Sequence, residues 1–273
     1  MTDLDPRRYY DEFGEGEWQR LDRDPVTRME FDQTVATLES YLPSTGRILD
    51  AGGGAGRYAR WLGARGYTVD LVDGSRTQVR LAADHAPAVA SDGQVTFQQG
   101  DIRSLPHSTA TFDAVCCLGG PISHVIDPGE RATAFEELRR VAMPDAPVFI
   151  SVIGRLAMIR DIIEFSLETN HRLLEPILAD GDYTAKRVAT LGDGDGWAAC
   201  HGFRADEFET ALQDAGFTVE RLIGLENVAF RAKDELSTAD ADAVESVRTV
   251  VQSLREDCTA VDISEHMLAV CRA

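Results

Sequence analysis

Four glycines occupy the five positions from Gly52 to Gly56, and this segment lies between two aspartates. Asp50 precedes the segment by two residues, and Asp73 follows Gly54 by 19 residues. Glycine at this density weakens a helix or a strand, but it lets a ligand approach the backbone N–H groups closely. A carboxylate about 20 residues after such a loop can accept the hydroxyls of a ribose. The pattern therefore predicts a site for a cofactor that contains a nucleoside.

Short apolar runs surround these residues and alternate with stretches of helical periodicity. The first five runs are RILDA (47–51), TVDLVD (68–73), VTFQQ (95–99), FDAVCCL (112–118) and APVFISVI (146–153). Strands that alternate with helices indicate a parallel sheet covered on both faces. Later runs at 218–227 and 265–272 can add two strands. We therefore expect a doubly wound α/β fold that binds its ligand at the carboxyl ends of the strands, beside helix N-termini.

Two residues discriminate between nucleoside cofactors. A dinucleotide fingerprint beginning at Gly52 requires a small residue at position 57, where this chain has Arg57. Asp50 would repel a pyrophosphate, whereas a cationic ligand suits it. An NAD-dependent oxidoreductase is thus disfavoured but stays an alternative, as does a non-catalytic nucleoside-binding module on the same fold.

The ordered motifs LDAGGGAGR, LVDGS, GDI and FDAVCCLGG, over about residues 45–155, resemble those of the class I S-adenosylmethionine-dependent methyltransferases. The resemblance implies S-adenosylmethionine as cofactor, S-adenosylhomocysteine as product, and a mostly parallel seven-stranded sheet whose last strand is antiparallel. It also implies that Asp50 faces the methionine amino group, that Asp73 binds the ribose and that Asp101 binds the adenine amino group. The other residues expected at the cofactor are Ala51, Gly52, Gly53, Gly54, Gly56, Gly74, Ile102, Cys117, Leu118 and Gly119, with Tyr10 and Trp18 from an N-terminal lid.

The segment LGGPISHVIDP (118–128) follows the fourth strand, where the amino-methyltransferases of nucleic acids and proteins have an Asn- or Asp-Pro-Pro-aromatic motif. This departure favours a small-molecule acceptor, which receives the methyl group by in-line displacement. His124 lies at the expected edge of the transfer pocket, and His201 precedes a late helix. Histidine has a reference pKa near 6.5, so either residue is a candidate general base. The alternative is that His124 orients its loop and that His201 is solvated or caps the helix.

The resemblance and the periodicity together divide the chain into four parts. Residues 1–44 are expected to form a helical lid, residues 45–153 the cofactor-binding core, and residues 205–273 the rest of the sheet. Residues 154–204 are expected to be an inserted cap over the substrate. Within this cap, apolar residues at helical spacing predict one long amphipathic helix over 154–180.

The composition points away from several classes of partner. With 46 acidic and 27 basic residues, the chain has a net charge of −19 and would repel nucleic acid. At about 1 M salt the Debye length falls to roughly 3 Å, so this excess suits a halophilic, salt-rich setting. The acidic N-terminus has no signal-peptide core, and no apolar run reaches the roughly 20 residues of a membrane span. We therefore expect a cytoplasmic protein without membrane or metal partners, whose five scattered cysteines are free thiols.

Overall fold

A seven-stranded sheet forms the centre of the molecule. The computed structural model describes residues 4–86, 94–193 and 197–273. In chain order, the strands of the main sheet are β1 (Arg47–Ala51), β2 (Thr68–Asp73), β3 (Val95–Gln99), β4 (Ala114–Cys117), β5 (Pro147–Ile153), β8 (Thr218–Gly224) and β9 (His266–Arg272). Two further strands, β6 (Asp182–Tyr183) and β7 (Cys200–His201), pair only with each other.

The spatial order of the main sheet is β3-β2-β1-β4-β5-β9-β8. Neighbours among β1 to β5 run parallel, whereas β9 is antiparallel to both β5 and β8. Strands in the middle of the sheet are covered on both faces, and so β4 and β9 consist of almost uninterrupted apolar residues. The predicted doubly wound fold, including the reversed last strand, is confirmed.

Helices cover both faces of the sheet and the edge at the carboxyl ends of β1 to β5. Their bounds are α1 (Pro6–Phe13), α2 (Glu15–Gln19), α3 (Pro25–Tyr41), α4 (Arg57–Gly63), α5 (Arg76–Asp84), α6 (Pro128–Val141), α7 (Arg155–Phe165), α8 (Leu167–Asn170), α9 (Leu174–Asp180), α10 (Ala185–Leu191), α11 (Ala205–Asp214), α12 (Lys233–Thr238), α13 (Ala241–Leu254) and α14 (Cys258–Asp262). Within the described residues, none of these helices has the length and apolar character needed to cross a membrane.

Side-chain caps determine where the helices beside the ligand edge begin. Ser75 accepts a hydrogen bond from the N–H of Gln78 at the start of α5. Asp127 accepts one from the N–H of Glu130 at the start of α6, whose first residue is Pro128. Both caps follow from the sequence, because Ser and Asp satisfy the free N–H groups of a first turn and proline lacks one.

The single long helix expected over 154–180 is wrong. The chain leaves helical geometry at Ser166, where φ is −143° and ψ is 24°, and it continues through α8 and a 3₁₀ turn into α9. The break lets α9 fold back on α7, so that the two apolar faces, with Met158 and Ile162 against Leu173 and Ile177, bury each other. Burial of both faces overrides the helical periodicity of the segment. The glycine-rich segment LGDGDGW (191–197), whose composition predicts a loop or hairpin turn, lies partly outside the described residues.

Candidate active-site cleft

A cleft of about 820 Å³ opens at the carboxyl ends of β1, β2 and β4. Its walls come from the glycine loop, from the residues that follow these strands and from the N-terminal helices. It brings together eleven of the residues predicted from the sequence, and these are Tyr10, Gly52, Gly53, Gly54, Asp73, Gly74, Asp101, Ile102, Leu118, Gly119 and His124.

Two glycines of the loop have backbone conformations that only glycine adopts readily. Gly52 has φ +69°, and a Cβ on it would lie 2.5 Å from the ring of Pro121. Gly54 has φ +51°, and a Cβ there would point toward Glu17 at 3.4 Å, across the cleft. Gly52 therefore lets the segment after β4 pack against the loop, and Gly54 keeps the backbone bare beside the cavity.

Asp73, at the end of β2, links the two loops on this side of the cleft. Its Oδ2 accepts a hydrogen bond of 2.9 Å from the N–H of Gly54, and its Oδ1 accepts one of 2.8 Å from the N–H of Ser75. Burial raises the pKa of this carboxyl, and the two N–H groups oppose the rise. An ionised carboxylate offers about four lone-pair sites, so each oxygen keeps a second site for a ligand hydroxyl.

Asp50, which was expected to face the methionine amino group directly or through water, does not itself line the cleft. Its carboxyl group is fully buried beneath the loop, where a Cβ on Gly53 would lie 2.7 Å from its Oδ2. Neither oxygen has a hydrogen-bond partner. Burial raises its pKa to about 7; the N–H of Ala59 opposes this rise but lies outside hydrogen-bond geometry. A buried carboxyl with both oxygens free is a place where a cation above the loop would be stabilised.

Three other residues expected at the ligand also lie outside the cleft lining. Ala51 and Cys117 are fully buried within β1 and β4. Gly56 faces helix α5, since a Cβ on it would lie 3.0 Å from the Cβ of Ala82. The missing side chain of Gly56 therefore allows α5 to pack closely against the loop.

Asp101 lies just after β3 and is held by two arginines. Arg103 reaches it from two residues along the chain, and Arg7 reaches it from α1 with an Nη2–Oδ2 distance of 2.5 Å. The hydrogen bond from Arg103 is the main reason why the pKa of Asp101 falls to about 2. Arg7 is not among the site residues predicted from the sequence, because no spacing rule connects α1 with β3.

The N-terminal helices cover the cleft, and Tyr10 lines it while Trp18 does not. The backbone carbonyl of Tyr10 accepts a hydrogen bond of 2.8 Å from Nε2 of Gln78. The ring of Trp18 instead stacks on His85 with the centroids 3.9 Å apart, and Arg57 lies 5.0 Å from the Trp18 ring centroid. Trp18 thus contacts an imidazole and a guanidinium in this structure, and its cofactor contact stays a prediction.

Arg20 lines the cleft near Gly119 and was also missed. Its guanidinium donates to both oxygens of buried Glu30 at 2.6 and 2.9 Å. Among the described residues, Glu30, Glu226 and His266 form the one group of potential metal ligands with atoms within 4.8 Å of one another. Since Nδ1 of His266 lies 2.8 Å from Glu226 and Arg20 occupies Glu30, the group is a network of ion pairs.

His124 lines the cleft after β4, in the short 3₁₀ turn that begins at Pro121. Its Nε2 lies 3.0 Å from the hydroxyl of Tyr10, and its Nδ1 lies 2.9 Å from the carbonyl oxygen of Ala199. Burial lowers the pKa of His124, and the nearby His266 lowers it further. A neutral imidazole at this position is chemically suited to accept a proton.

His201 lies outside the cleft, so the second candidate base is wrong. The ring is 2% exposed, with Nδ1 at 2.7 Å from Asp182 and Nε2 at 2.8 Å from Glu207. Both ring nitrogens are occupied by carboxylates, and neither is open to a ligand. The pairing of β6 with β7 places this side chain between Asp182 and Glu207. Periodicity in the sequence does not reveal that pairing.

Comparison with known proteins agrees with this geometry. Residues 48–145 match the family model described as a methyltransferase domain. Over these residues the chain is therefore similar to methyltransferase domains. It is 34% identical over 110 residues to the ubiquinone biosynthesis O-methyltransferase of Alkalilimnicola ehrlichii, covering 40% of this chain and 42% of that protein. It spans about half the length of the curated relatives it matches.

Solved structures extend the similarity of the methyltransferase domain to most of the fold. A methyltransferase from Methanosarcina mazei superposes with a TM-score of 0.60 at 20% identity, covering 86% of this chain and 96% of that one. The [4+2]-cyclase SpnF superposes with a TM-score of 0.51 at 19% identity, covering 88% and 79%. At these identities the likeness concerns the fold alone, and one fold carries different reactions.

Proposed function

We propose that this protein transfers the methyl group of S-adenosylmethionine to a small-molecule acceptor by in-line displacement. The observation that carries the proposal is Asp73, whose two oxygens are held by the N–H groups of Gly54 and Ser75 at the cleft wall. That arrangement leaves one lone pair on each oxygen for the two hydroxyls of a ribose. The bare backbone at Gly54 gives the rest of the nucleoside room to approach.

The charges around the loop suit a cationic cofactor. Asp50 is a fully buried carboxyl with no partner on either oxygen, and it lies beneath the loop where the methionine amino group is proposed to bind. Arg20, at the opposite wall, is a candidate partner for the methionine carboxylate. When bound, S-adenosylmethionine supplies an electrophilic methyl group on a sulfonium. The protein needs chiefly to align the acceptor with that methyl group and to exclude water.

The size and lining of the cleft support a small acceptor. A volume of about 820 Å³ lies within the range of small-ligand sites, about 300–1,000 Å³. The net charge of −19 opposes a nucleic-acid acceptor. One relative is an O-methyltransferase of ubiquinone biosynthesis, and this makes a hydroxyl-bearing acceptor a reasonable first class to assay.

Calorimetric titration of S-adenosylmethionine and S-adenosylhomocysteine, with NAD as a competitor ligand, tests the proposal. We expect both sulfur ligands to bind at micromolar concentration, and we expect Asp73→Ala to weaken them at least tenfold. Asp84→Ala, which removes an exposed carboxylate from the same region, is the matched control and should bind normally. Absence of binding, or preferential binding of NAD, would overturn the proposal.

A second experiment separates methyl transfer from binding alone. Transfer of radiolabelled methyl from S-adenosylmethionine is measured on a panel of phenols, catechols, alcohols, amines and thiols. Methylated product that forms with the native protein and is lost in Asp73→Ala supports methyltransferase activity. Tight binding with no product on any class of acceptor favours a non-catalytic module or another reaction on this fold.

A further inference from the structure

The Tyr10 hydroxyl and the His124 ring are joined across the cleft by a hydrogen bond of 3.0 Å. Tyr10 comes from α1, whereas His124 follows β4, so 114 residues separate them in the sequence. Both side chains line the cleft. The two groups therefore meet at the boundary between the N-terminal lid and the turn after β4.

The far side of the imidazole determines which nitrogen carries the proton. Nδ1 lies 2.9 Å from the carbonyl oxygen of Ala199, which can only accept a hydrogen bond. In a neutral ring Nδ1 therefore holds the proton, and Nε2 presents a lone pair. Because Nε2 is then an acceptor, the hydroxyl of Tyr10 donates its own proton to it.

Hydrogen bonds to neighbouring segments hold both sides of the Tyr10–His124 pair. The carbonyl of Tyr10 is held by Gln78, and Asp11 on the same helix receives a hydrogen bond of 2.5 Å from the Ser75 hydroxyl. On the other side, the N–H of Ala199 donates to the carbonyl of Leu4 at 2.9 Å. Tyr10 and the peptide that orients His124 are thus each held by further hydrogen bonds, and Leu4 ties that peptide to the N-terminal segment that carries Tyr10.

The surrounding charges keep both partners neutral. Burial lowers the pKa of His124, the hydrogen bond to Ala199 opposes this change, and His266 on β9 lowers the pKa further. Burial raises the pKa of Tyr10, where Arg20 opposes the change. The acidic neighbours Glu17 and Asp73, together with Tyr9, raise it further. A neutral donor therefore faces a neutral acceptor, and the hydrogen bond runs from the Tyr10 hydroxyl to Nε2 of His124.

We propose that Tyr10 contacts the acceptor and passes its proton to His124, so that the acceptor is a small molecule with a transferable proton, such as a hydroxyl compound. This inference rests on the proposed methyl transfer, but it assigns Tyr10 to the acceptor and not to the cofactor. The phenolic oxygen has a lone pair to spare while its hydrogen is donated to Nε2. An acceptor without a transferable proton would gain nothing from this arrangement.

Atoms and charge are conserved in the proposed methyl transfer. The acceptor oxygen forms a bond to the methyl carbon while the bond from that carbon to sulfur breaks, and the sulfur keeps the electron pair as a neutral thioether. The acceptor proton moves to the oxygen of Tyr10, and the original Tyr10 proton moves to Nε2 of His124. The positive charge lost from sulfur thus ends on the imidazolium, whose Nδ1–H still donates to Ala199.

Nitrogen-15 spectroscopy of histidine-labelled protein tests the pair without any acceptor. We expect the neutral ring of His124 to carry its proton on Nδ1. Tyr10→Phe should raise the pKa of His124 by about half a unit to one unit, since it removes a donor to the neutral ring. Tyr9→Phe, which deletes a neighbouring hydroxyl outside the cleft lining, should leave that pKa unchanged. A proton on Nε2, or a pKa unmoved by Tyr10→Phe, would overturn the inference.

Kinetics on the hydroxyl members of the acceptor panel provide the second test. Tyr10→Phe should lower kcat about 100-fold or more, as the loss of a proton-transfer group does, while calorimetry shows unchanged affinity for S-adenosylmethionine. Tyr9→Phe should retain native kcat. Unchanged turnover in Tyr10→Phe, or methylation confined to tertiary amines and thioethers, would overturn this inference alone. Failure of the native protein to bind S-adenosylmethionine would instead overturn the proposed function.

Discussion

The guanidinium of Arg7 lies 2.5 Å from the carboxylate of Asp101 and so connects the N-terminal lid to the end of β3. Asp101 is also the residue that the family resemblance assigns to the adenine amino group. A bound cofactor and Arg7 would therefore seek the same oxygens. The Arg7–Asp101 contact would therefore compete with a cofactor bound at Asp101.

We expect Arg7→Ala to tighten the binding of S-adenosylmethionine about two- to fivefold. Arg7 is 56% exposed, and an exposed ion pair contributes about 0–1 kcal/mol, which sets the size of the effect. Isothermal titration measures it. Arg8→Ala, which removes an arginine paired with Glu12 on the same helix, is the control and should have no effect. Weaker binding in Arg7→Ala would show that the arginine supports the ligand.

Replacing Gly52 by alanine should destabilise the protein more than the same change at Gly66. Both residues have positive φ, of +69° and +89°, so alanine is strained at either position by about 1–2 kcal/mol. Only at Gly52 does the new methyl group overlap Pro121, which adds about 1–3 kcal/mol. Urea denaturation of the two variants measures the difference. An equal decrease in the free energy of unfolding for the two variants would mean that the segment after β4 moves away from the new methyl group without cost.

Asp50→Asn should stabilise the ligand-free protein above neutral pH. Its pKa is raised to about 7 in the folded state, so between about pH 4 and pH 7 the unfolded chain loses a proton that the folded chain keeps. The contribution of Asp50 to stability therefore falls as the pH rises through that window, by about 1–4 kcal/mol. Asparagine is neutral throughout and should flatten the profile.

Urea denaturation at several pH values from 4 to 8, with exposed Asp84→Asn as control, measures the effect of Asp50→Asn. The gain in the free energy of unfolding should grow with pH in Asp50→Asn and stay near zero in the control. The same substitution should weaken S-adenosylmethionine binding if Asp50 stabilises the cationic end of the cofactor. A gain that does not depend on pH would contradict the raised pKa.

Added salt should stabilise this chain. Raising KCl from about 0.1 M to about 1 M shortens the Debye length from roughly 10 Å to roughly 3 Å and screens the repulsion within a surface of net charge −19. We expect the free energy of unfolding to rise by about 1–3 kcal/mol, because individual surface charge interactions are each worth up to about 1 kcal/mol. Urea titrations in KCl and in sorbitol of equal osmolality distinguish screening from solute exclusion. Destabilisation by KCl would mean that surface ion pairs outweigh the net repulsion.

The strands and the glycine loop are readable from the chain alone, because local chemistry imposes them. RILDA and TVDLVD match β1 and β2 residue for residue, since strands covered on both faces are short and mostly apolar. The caps at Ser75 and Asp127 are equally local, because a side chain there bonds to an N–H three residues away. Asp73 could be predicted as a cleft residue because it follows Gly54 by a characteristic 19 residues.

Contacts between distant segments were decided only by tertiary packing. Arg7, Arg20 and the Tyr10–His124 bond depend on where α1 and α2 lie on the sheet, and no period in the sequence encodes that position. His201 had the right chemistry for a base, but the β6–β7 pairing placed it between two carboxylates. The sequence thus determined the fold and the cofactor class through spacing along one chain segment at a time. The Tyr10–His124 and Arg7–Asp101 contacts required the folded structure, because they join segments that meet only in space.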